Sequence, residues 1–86
     1  MHHLLQKGLI EKDINTILQE KGLCFEETNL DSRFKEDLAL DSLDKADLVS
    51  ELETKFRVTI YSSDAEKILT IGEMVDYIDN AITQPV

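Results

Sequence analysis

Residues 38–56 read Leu38-Ala39-Leu40-Asp41-Ser42-Leu43-Asp44-Lys45-Ala46-Asp47-Leu48-Val49-Ser50-Glu51-Leu52-Glu53-Thr54-Lys55-Phe56. Placed at about 100° per step, Leu48, Val49, Leu52 and Phe56 share one broad stripe, which predicts an amphipathic helix from about Ser42 to Phe56. Asp41 and Ser42 stand where a loop hands over to that helix, and both residue types favour the N-cap. Leu43 falls nearly opposite the centre of the stripe, so a helical bundle leaves it outside. Asp47 shares that outward face, with Asp44 and Glu51 to one side and Glu53 to the other. Lys45 falls on the opposite side of the wheel.

Working toward the N-terminus, the stretch from Leu23 to about Leu40 has weak periodicity and contains the turn formers Thr28, Asn29, Asp31 and Ser32. It also carries Leu23, Phe25, Leu30, Phe34 and Leu38, which predicts a long loop packed by its own apolar side chains. Before it, Ile10, Ile14, Ile17 and Leu18 line one face of a first helix, which Leu5 extends. That helix stops at Gly22, with Lys21 placed favourably for the helix dipole. Toward the C-terminus, Arg57-Val58-Thr59-Ile60 alternates but is too short to build a sheet. Ser63 with Glu66 reads as a capping box for a short third helix, and Thr70 with Glu73 repeats the pattern before a last helix. Ile71, Met74, Val75, Ile78 and Ile82 give that helix its apolar face. Gly72, in its first turn, costs about 1 kcal/mol relative to alanine. The expected class is all-α: a small four-helix bundle of three longer helices and one short one, with the long loop between the first and second.

The chain has 86 residues, enough for one small domain. Nine Lys plus Arg against 18 Asp plus Glu give a formal net charge of −9. That charge repels phosphate backbones and argues against nucleic-acid binding, while it suits steering toward basic partners. The single cysteine, Cys24, excludes an intrachain disulfide and, flanked by Leu23 and Phe25, is expected to be buried and inert. No apolar run approaches a membrane span, and the start Met1-His2-His3-Leu4-Leu5 does not read as a signal peptide. The cytoplasm is the expected address. His2 and His3 lack further ligands nearby, and Asp41, Asp44 and Asp47 lack the glycine turn of a calcium loop, so no metal is predicted.

Ser42 is where chemistry is expected. A hydroxyl at a helix N-terminus, followed by unpaired backbone N–H groups, suits a phosphate ester, because donors and dipole both favour negative charge. The same pair, Asp41-Ser42, is equally a plain cap. Leu43 beside the serine, with the carboxylates around it, is what adds a partner-facing surface, and a negative rim there raises association rates more than affinity.

In these residues the chain resembles the acyl carrier proteins. Leu38-Ala39-Leu40-Asp41-Ser42-Leu43-Asp44 is similar to that family's Leu-Gly-x-Asp-Ser-Leu-Asp attachment motif, with Phe34 and Asp37-Leu38 matching the lead-in. Leu48-Val49, Leu52-Glu53 and Phe56 match the recognition helix. Ile60, Ala65-Glu66-Lys67-Ile68, Thr70-Ile71 and Asp76-Tyr77-Ile78 match the family's third and fourth helices. The likeness runs from about Ile10 to Ala81. Ala39 stands in place of the usual glycine, Leu40 is bulkier than the residue often found there, and Tyr61-Ser62 replaces a common Pro-Asp. Ala46 and Ser50 take places where larger apolar residues are common.

The resemblance implies a single carrier domain over residues 1–86, with 1–4 and 83–86 as frayed tails. It implies no catalytic residue. Ser42 would take 4'-phosphopantetheine, donated by coenzyme A through a phosphopantetheinyl transferase, and would carry acyl groups as thioesters, in fatty acid biosynthesis. Asp41, Leu43, Asp44, Asp47, Glu51 and Glu53 would face partners: the transferase, acyltransferases, ketoacyl synthases and related enzymes with basic docking surfaces. Phe34, Leu52, Ile60, Ile68 and Met74 would line an acyl pocket, although core packing explains those five equally well. A monomer without membrane insertion is expected. The alternatives are a dedicated carrier for polyketide, lipopolysaccharide or aminoacyl transfer, or an acidic helical interaction module that is never modified.

Overall fold

The structure, a computed structural model, describes residues 2–22 and 28–83, with side chains described from Gln6 to Ile82 within those ranges. Among the described residues four helices follow one another: α1 (His2–Glu20), α2 (Ser42–Phe56), α3 (Ser62–Lys67) and α4 (Ile71–Thr83). The described residues hold no strand, only an isolated antiparallel bridge between Arg33 and Thr70. The fold is thus the expected all-helical bundle, with α1 packed most extensively on α4 and also on α2.

The core follows from the periodicity. Ile10, Ile14, Ile17 and Leu18 of α1 are buried, as are Leu48, Val49 and Leu52 of α2 and Ile71, Met74, Val75 and Ile78 of α4. Each such aliphatic side chain contributes about 1.5–3 kcal/mol on leaving water. Phe56 and Ile82 are only partly buried at the margin. Salt bridges tie the helices along their seams, Lys7 to Asp76 at 3.0 Å and Lys55 to Asp13 at 3.3 Å. Gln6 Nε2 donates to Oδ1 of Asp79, a carboxylate that is buried among the core residues of α4. These contacts of Gln6 and Lys7 hold the first turns of α1 in register against α4. Helix therefore begins at His2 where a tail over 1–4 is expected, and α4 includes Thr83; Met1 and residues 84–86 lie outside the described residues.

Gly22 has φ +72° and its N–H donates to the Gln19 carbonyl at 3.0 Å, half of the bonding pattern with which a glycine closes a helix. Cys24 and its neighbours Leu23 and Phe25 lie outside the described residues. From Thr28 onward the long loop is packed as expected, with Phe34 and Leu40 buried and Leu38 half-buried, although Leu30 stays exposed. Backbone bonds dock it against the start of α4: Phe34 N–H to Leu69 O (2.9 Å), Ile71 N–H to Ser32 O (3.0 Å) and Gly72 N–H to Leu30 O (2.8 Å). Arg33 N–H donates to Asp37 Oδ2 at 2.8 Å, and this bond with the Arg33 guanidinium holds the Asp37 carboxyl below its usual value.

The two capping boxes read from sequence fare differently. Thr70 and Glu73 form theirs, with Glu73 N–H to Thr70 Oγ1 at 3.1 Å and Thr70 N–H to Glu73 Oε1 at 3.0 Å. Ser63 and Glu66 do not: α3 starts two residues earlier than that box would place it, its cap is Tyr61, and no side chain bonds there. Ser63 is therefore already inside the helix, where its hydroxyl cannot cap. Tyr77 Oη instead anchors α3 to α4 by donating to Asp64 Oδ2 at 2.7 Å, which raises the Tyr77 phenol above its ordinary value.

Gly72 has a packing reason beyond its helix cost. A Cβ there would lie 2.9 Å from the Leu30 carbonyl oxygen and 3.3 Å from Leu30 Cβ. Gly72→Ala, stabilising by helix propensity alone, is expected to destabilise by about 1–3 kcal/mol, because the docked loop must be pushed away. Thermal unfolding followed by circular dichroism checks the sign; a raised midpoint would contradict the close approach.

Candidate functional site

The approach to α2 is set by Ala39 and Leu40. Ala39 has φ +56°, the left-handed region, which turns the chain out of the docked loop. Leu40 is then carried into the core, with its N–H on the Phe34 carbonyl at 2.9 Å. The next residue, Asp41, is extended (φ −86°, ψ −177°) and caps the helix. Its Oδ1 accepts the Asp44 N–H at 2.8 Å, and its own N–H donates to Asp44 Oδ2 at 3.4 Å, a reciprocal capping box.

This settles which of the two candidate caps is the cap. Asp41 takes that role, so Ser42 is the first helical residue, exposed, with no hydrogen bond to its hydroxyl among the described residues. Because Asp41 and Asp44 satisfy each other's N–H groups, the N–H groups of Ser42 and Leu43 are the first-turn donors left without an intrahelical acceptor. A free hydroxyl beside two free donors at the positive end of a helix fits a phosphate ester.

The residues expected to face partners divide. Leu43 is 77% exposed, the most open of the large apolar side chains described. Ala46 and Ser50 are exposed too, so the outward apolar surface is small. Asp47 is open to solvent and Glu51 half-open, and Lys21 reaches over from the end of α1 to Glu51 at 2.8 Å and Asp47 at 4.0 Å. The hydrogen bond to Glu51 raises the Lys21 ammonium above its ordinary value. Lys21 thus serves the rim of α2, not the carbonyls of its own helix. Asp44 is half-buried and occupied with the cap. Glu53 turns inward: its Oε2 accepts the Ile60 N–H at 2.9 Å, which fixes the extended segment after α2. It belongs to the interior side of α2 and not to the outward rim expected of it.

A cleft of about 720 Å³ opens between α2 and α3, and Asp41 and Ser42 stand at its edge. Its walls are largely apolar and include Phe34, Leu40, Val49, Ile60, Ala65 and Leu69. Of the five residues expected to line a pocket, Phe34 and Ile60 do so. Leu52, Ile68 and Met74 are buried core residues that the cleft does not reach, because the helical stripe that fills the core is wider than the part facing α3.

Lys45 is the cleft residue the wheel does not reveal. It is half-buried, lines the cleft, hydrogen-bonds the Ile68 carbonyl through Nζ, and holds its ammonium 5.9 Å from the centre of the Phe34 ring. Burial pushes the Lys45 ammonium below the usual lysine value, against the opposing pull of Glu73 and Glu66. Its placement opposite the outward face was legible; that this side is a cleft and not solvent depends on where α3 packs.

The left-handed Ala39 carries a cost of about 1–2 kcal/mol that glycine would avoid. Ala39→Gly is expected to stabilise the fold by about 0.5–1 kcal/mol, the relief less the greater chain entropy of glycine when unfolded. A rise in the thermal midpoint of about 2–8 °C is the readout.

Comparison with known proteins is consistent with this geometry. The profile of a family described as a phosphopantetheine attachment site matches residues 22–78, more than half of the chain. In structure the chain is similar to the acyl carrier protein of Thermotoga maritima, with a TM-score of 0.78 and 29% sequence identity over 95% of each chain.

Proposed function

The chain belongs to the family of phosphopantetheine attachment domains, and from that premise we propose that it carries acyl intermediates of fatty acid biosynthesis on an arm esterified to Ser42. It is a carrier and not an enzyme, and 4'-phosphopantetheine is its prosthetic group. When bound, that group supplies a terminal thiol that holds acyl chains as thioesters. The observation that carries the assignment to Ser42 is the division of labour at the start of α2: Asp41 does the capping, which leaves the Ser42 hydroxyl exposed and unbonded.

The chain's own residues contribute in three ways. The Asp41–Asp44 box fixes the backbone of the first turn, so that Ser42 is held at the exposed start of the helix while its hydroxyl stays unused. Leu43, Asp47 and Glu51 present an apolar contact within a negative field, suited to transferases and synthases with basic docking surfaces. The cleft between α2 and α3 offers apolar walls beside Ser42, which supports an acyl chain as the cargo. Tethering replaces each partner's bimolecular search for a free thioester with delivery at high local concentration. In this reading residues 1–86 act as one carrier domain in the cytoplasm, served by a phosphopantetheinyl transferase, acyltransferases and ketoacyl synthases. No helix among the described residues is long and apolar enough to cross a membrane.

Incubation with coenzyme A and a broad-specificity transferase is expected to add one phosphopantetheine, read by intact mass, and Ser42→Ala to abolish the gain while keeping the helical spectrum. No gain under conditions that modify a known carrier would overturn the assignment.

The electrostatics give a second expectation, of graded sign. Asp47→Lys with Glu51→Lys is expected to slow transfer about tenfold at low salt, with most of the difference lost as salt screens the rim. Lys21→Gln, which uncovers Glu51, is expected to speed it. Initial rates across a salt series check both.

A further inference from the structure

Ser42 and Lys45 stand three residues apart on α2, and both line the cleft between α2 and α3. At that spacing on a helix, Cβ atoms are about 5–6 Å apart. The phosphate of the arm is bonded directly to the serine oxygen, so its place is set by Ser42 and not by where the rest of the arm lies. The flexible four-carbon stem of a lysine spans such a gap, which puts a Ser42 phosphodiester within reach of the Lys45 ammonium.

In the unmodified chain that ammonium is committed elsewhere. Its Nζ donates to the carbonyl of Ile68, just beyond α3, and lies beside the Phe34 ring. That carbonyl is its one hydrogen-bond acceptor among the described residues. No carboxylate there stands within salt-bridge distance, although Glu73 and Glu66 attract it from further off. Asp41 and Asp44, its acidic neighbours at the start of α2, are occupied with the cap. Lys45 is thus a half-buried cation held by a neutral oxygen.

A phosphodiester on Ser42 changes that balance. A bond from the ammonium to a phosphate oxygen adds the attraction of an opposite charge, which the Ile68 carbonyl does not offer. It also draws the ammonium toward the exposed Ser42, restoring hydration that burial withholds. Lys35, the other cation of the cleft, is exposed and bonds nothing on α3, so its attraction to the phosphate would alter no helix contact.

What Lys45 would leave behind is a weakly held wall. α3 is six residues long, lacks a side-chain cap and has no buried residue. Its own side chains are tied by Tyr77 Oη on Asp64 Oδ2 at 2.7 Å. We propose that Lys45 is a switch between the two states of the carrier. Bonded to the Ile68 carbonyl, it fastens α3 while Ser42 is unmodified; drawn to the phosphodiester once the arm is attached, it releases α3. That role rests on the assignment of the arm to Ser42 and goes beyond it by coupling modification to the wall of the cleft.

The test compares unmodified and phosphopantetheine-loaded protein in the native sequence, Lys45→Met and Lys45→Arg, with loading scored by intact mass. Amide hydrogen exchange is followed at Ala65 and Ile68, whose N–H groups close α3, relative to Ile14 and Leu18 in the core of α1. Loading is expected to speed exchange in α3 of the native protein about three- to tenfold. Unmodified Lys45→Met, which keeps the stem and loses the charge, is expected to exchange at the loaded rate already and to gain nothing on loading. Lys45→Arg is expected to keep the difference between the two states. The phosphorus NMR resonance of the loaded arm is expected to shift in Lys45→Met and to be restored in Lys45→Arg. Equal exchange in unmodified and loaded native protein, or a loading effect that survives in Lys45→Met, overturns the switch while leaving the carrier reading intact. So does unmodified Lys45→Met exchanging as slowly as the unmodified native protein, whether or not that variant loads. Failure of the native protein to load overturns both.

Discussion

Phe34 is held from every side, and the rest of the molecule is organised around it. Its N–H bonds the Leu69 carbonyl, its own carbonyl takes the Leu40 N–H, and its ring is 2% exposed with the Lys45 ammonium beside it. One residue thereby joins the long loop, the start of α4, the approach to α2 and the wall of the cleft. A loop of this length would ordinarily leave its end wandering, since an unpaired backbone gains little by ordering. Pinning its middle to residues 69–72 fixes where Leu40 enters the core, and the position of Asp41 is set by that. The Ser42 hydroxyl is positioned by a constraint several residues upstream, not by contacts of its own.

That arrangement explains an economy at the start of α2. A serine is itself a good cap, but a capping hydroxyl accepts from a backbone N–H and is held against the helix. Giving the cap to Asp41, and closing it reciprocally with Asp44, stabilises the helix end and keeps Ser42 out of the bonding. The acidic residues near the site consequently do different jobs. Asp41 and Asp44 are structural first, Glu53 braces Ile60, and only Asp47 and Glu51 remain as outward charge, partly countered by Lys21. A net charge of −9 exaggerates how negative the presenting surface is.

Features carried by local spacing were legible in the sequence. The span of α2, the faces of α1 and α4, the Thr70–Glu73 box and the stop at Gly22 all rest on patterns within a few residues, and the structure shows them. Features that depend on contacts across the chain were not. Ser63 and Glu66 have capping-box spacing, yet the helix starts before them. Gly72 reads as a mild local penalty until Leu30 is seen against it. Ala39 reads only as a replacement for the glycine usual in the resembled motif, whereas its φ shows the left-handed turn that glycine would make freely. A helical wheel also ranks residues only as inward or outward. It has no place for Lys45 and Glu53, which face the cleft between α2 and α3, and it merges cleft lining with core at Leu52, Ile68 and Met74.

The cleft owes its character to the weakness of α3. Six residues long, without a side-chain cap and with none of its residues buried, this helix contributes little to its own stability. It is kept in place from outside, by Tyr77 on Asp64, by Lys45 on the Ile68 carbonyl, and by the extended segment that Glu53 braces. Ile68, just beyond its end, is the buried anchor. A wall fastened by a few polar bonds over an apolar lining can yield at lower cost than α1, α2 or α4, whose faces are fixed by interdigitated aliphatic side chains. Of those fastenings, the Lys45 bond alone comes from a residue that lines the cleft together with Ser42 and ties α2 directly to the end of α3.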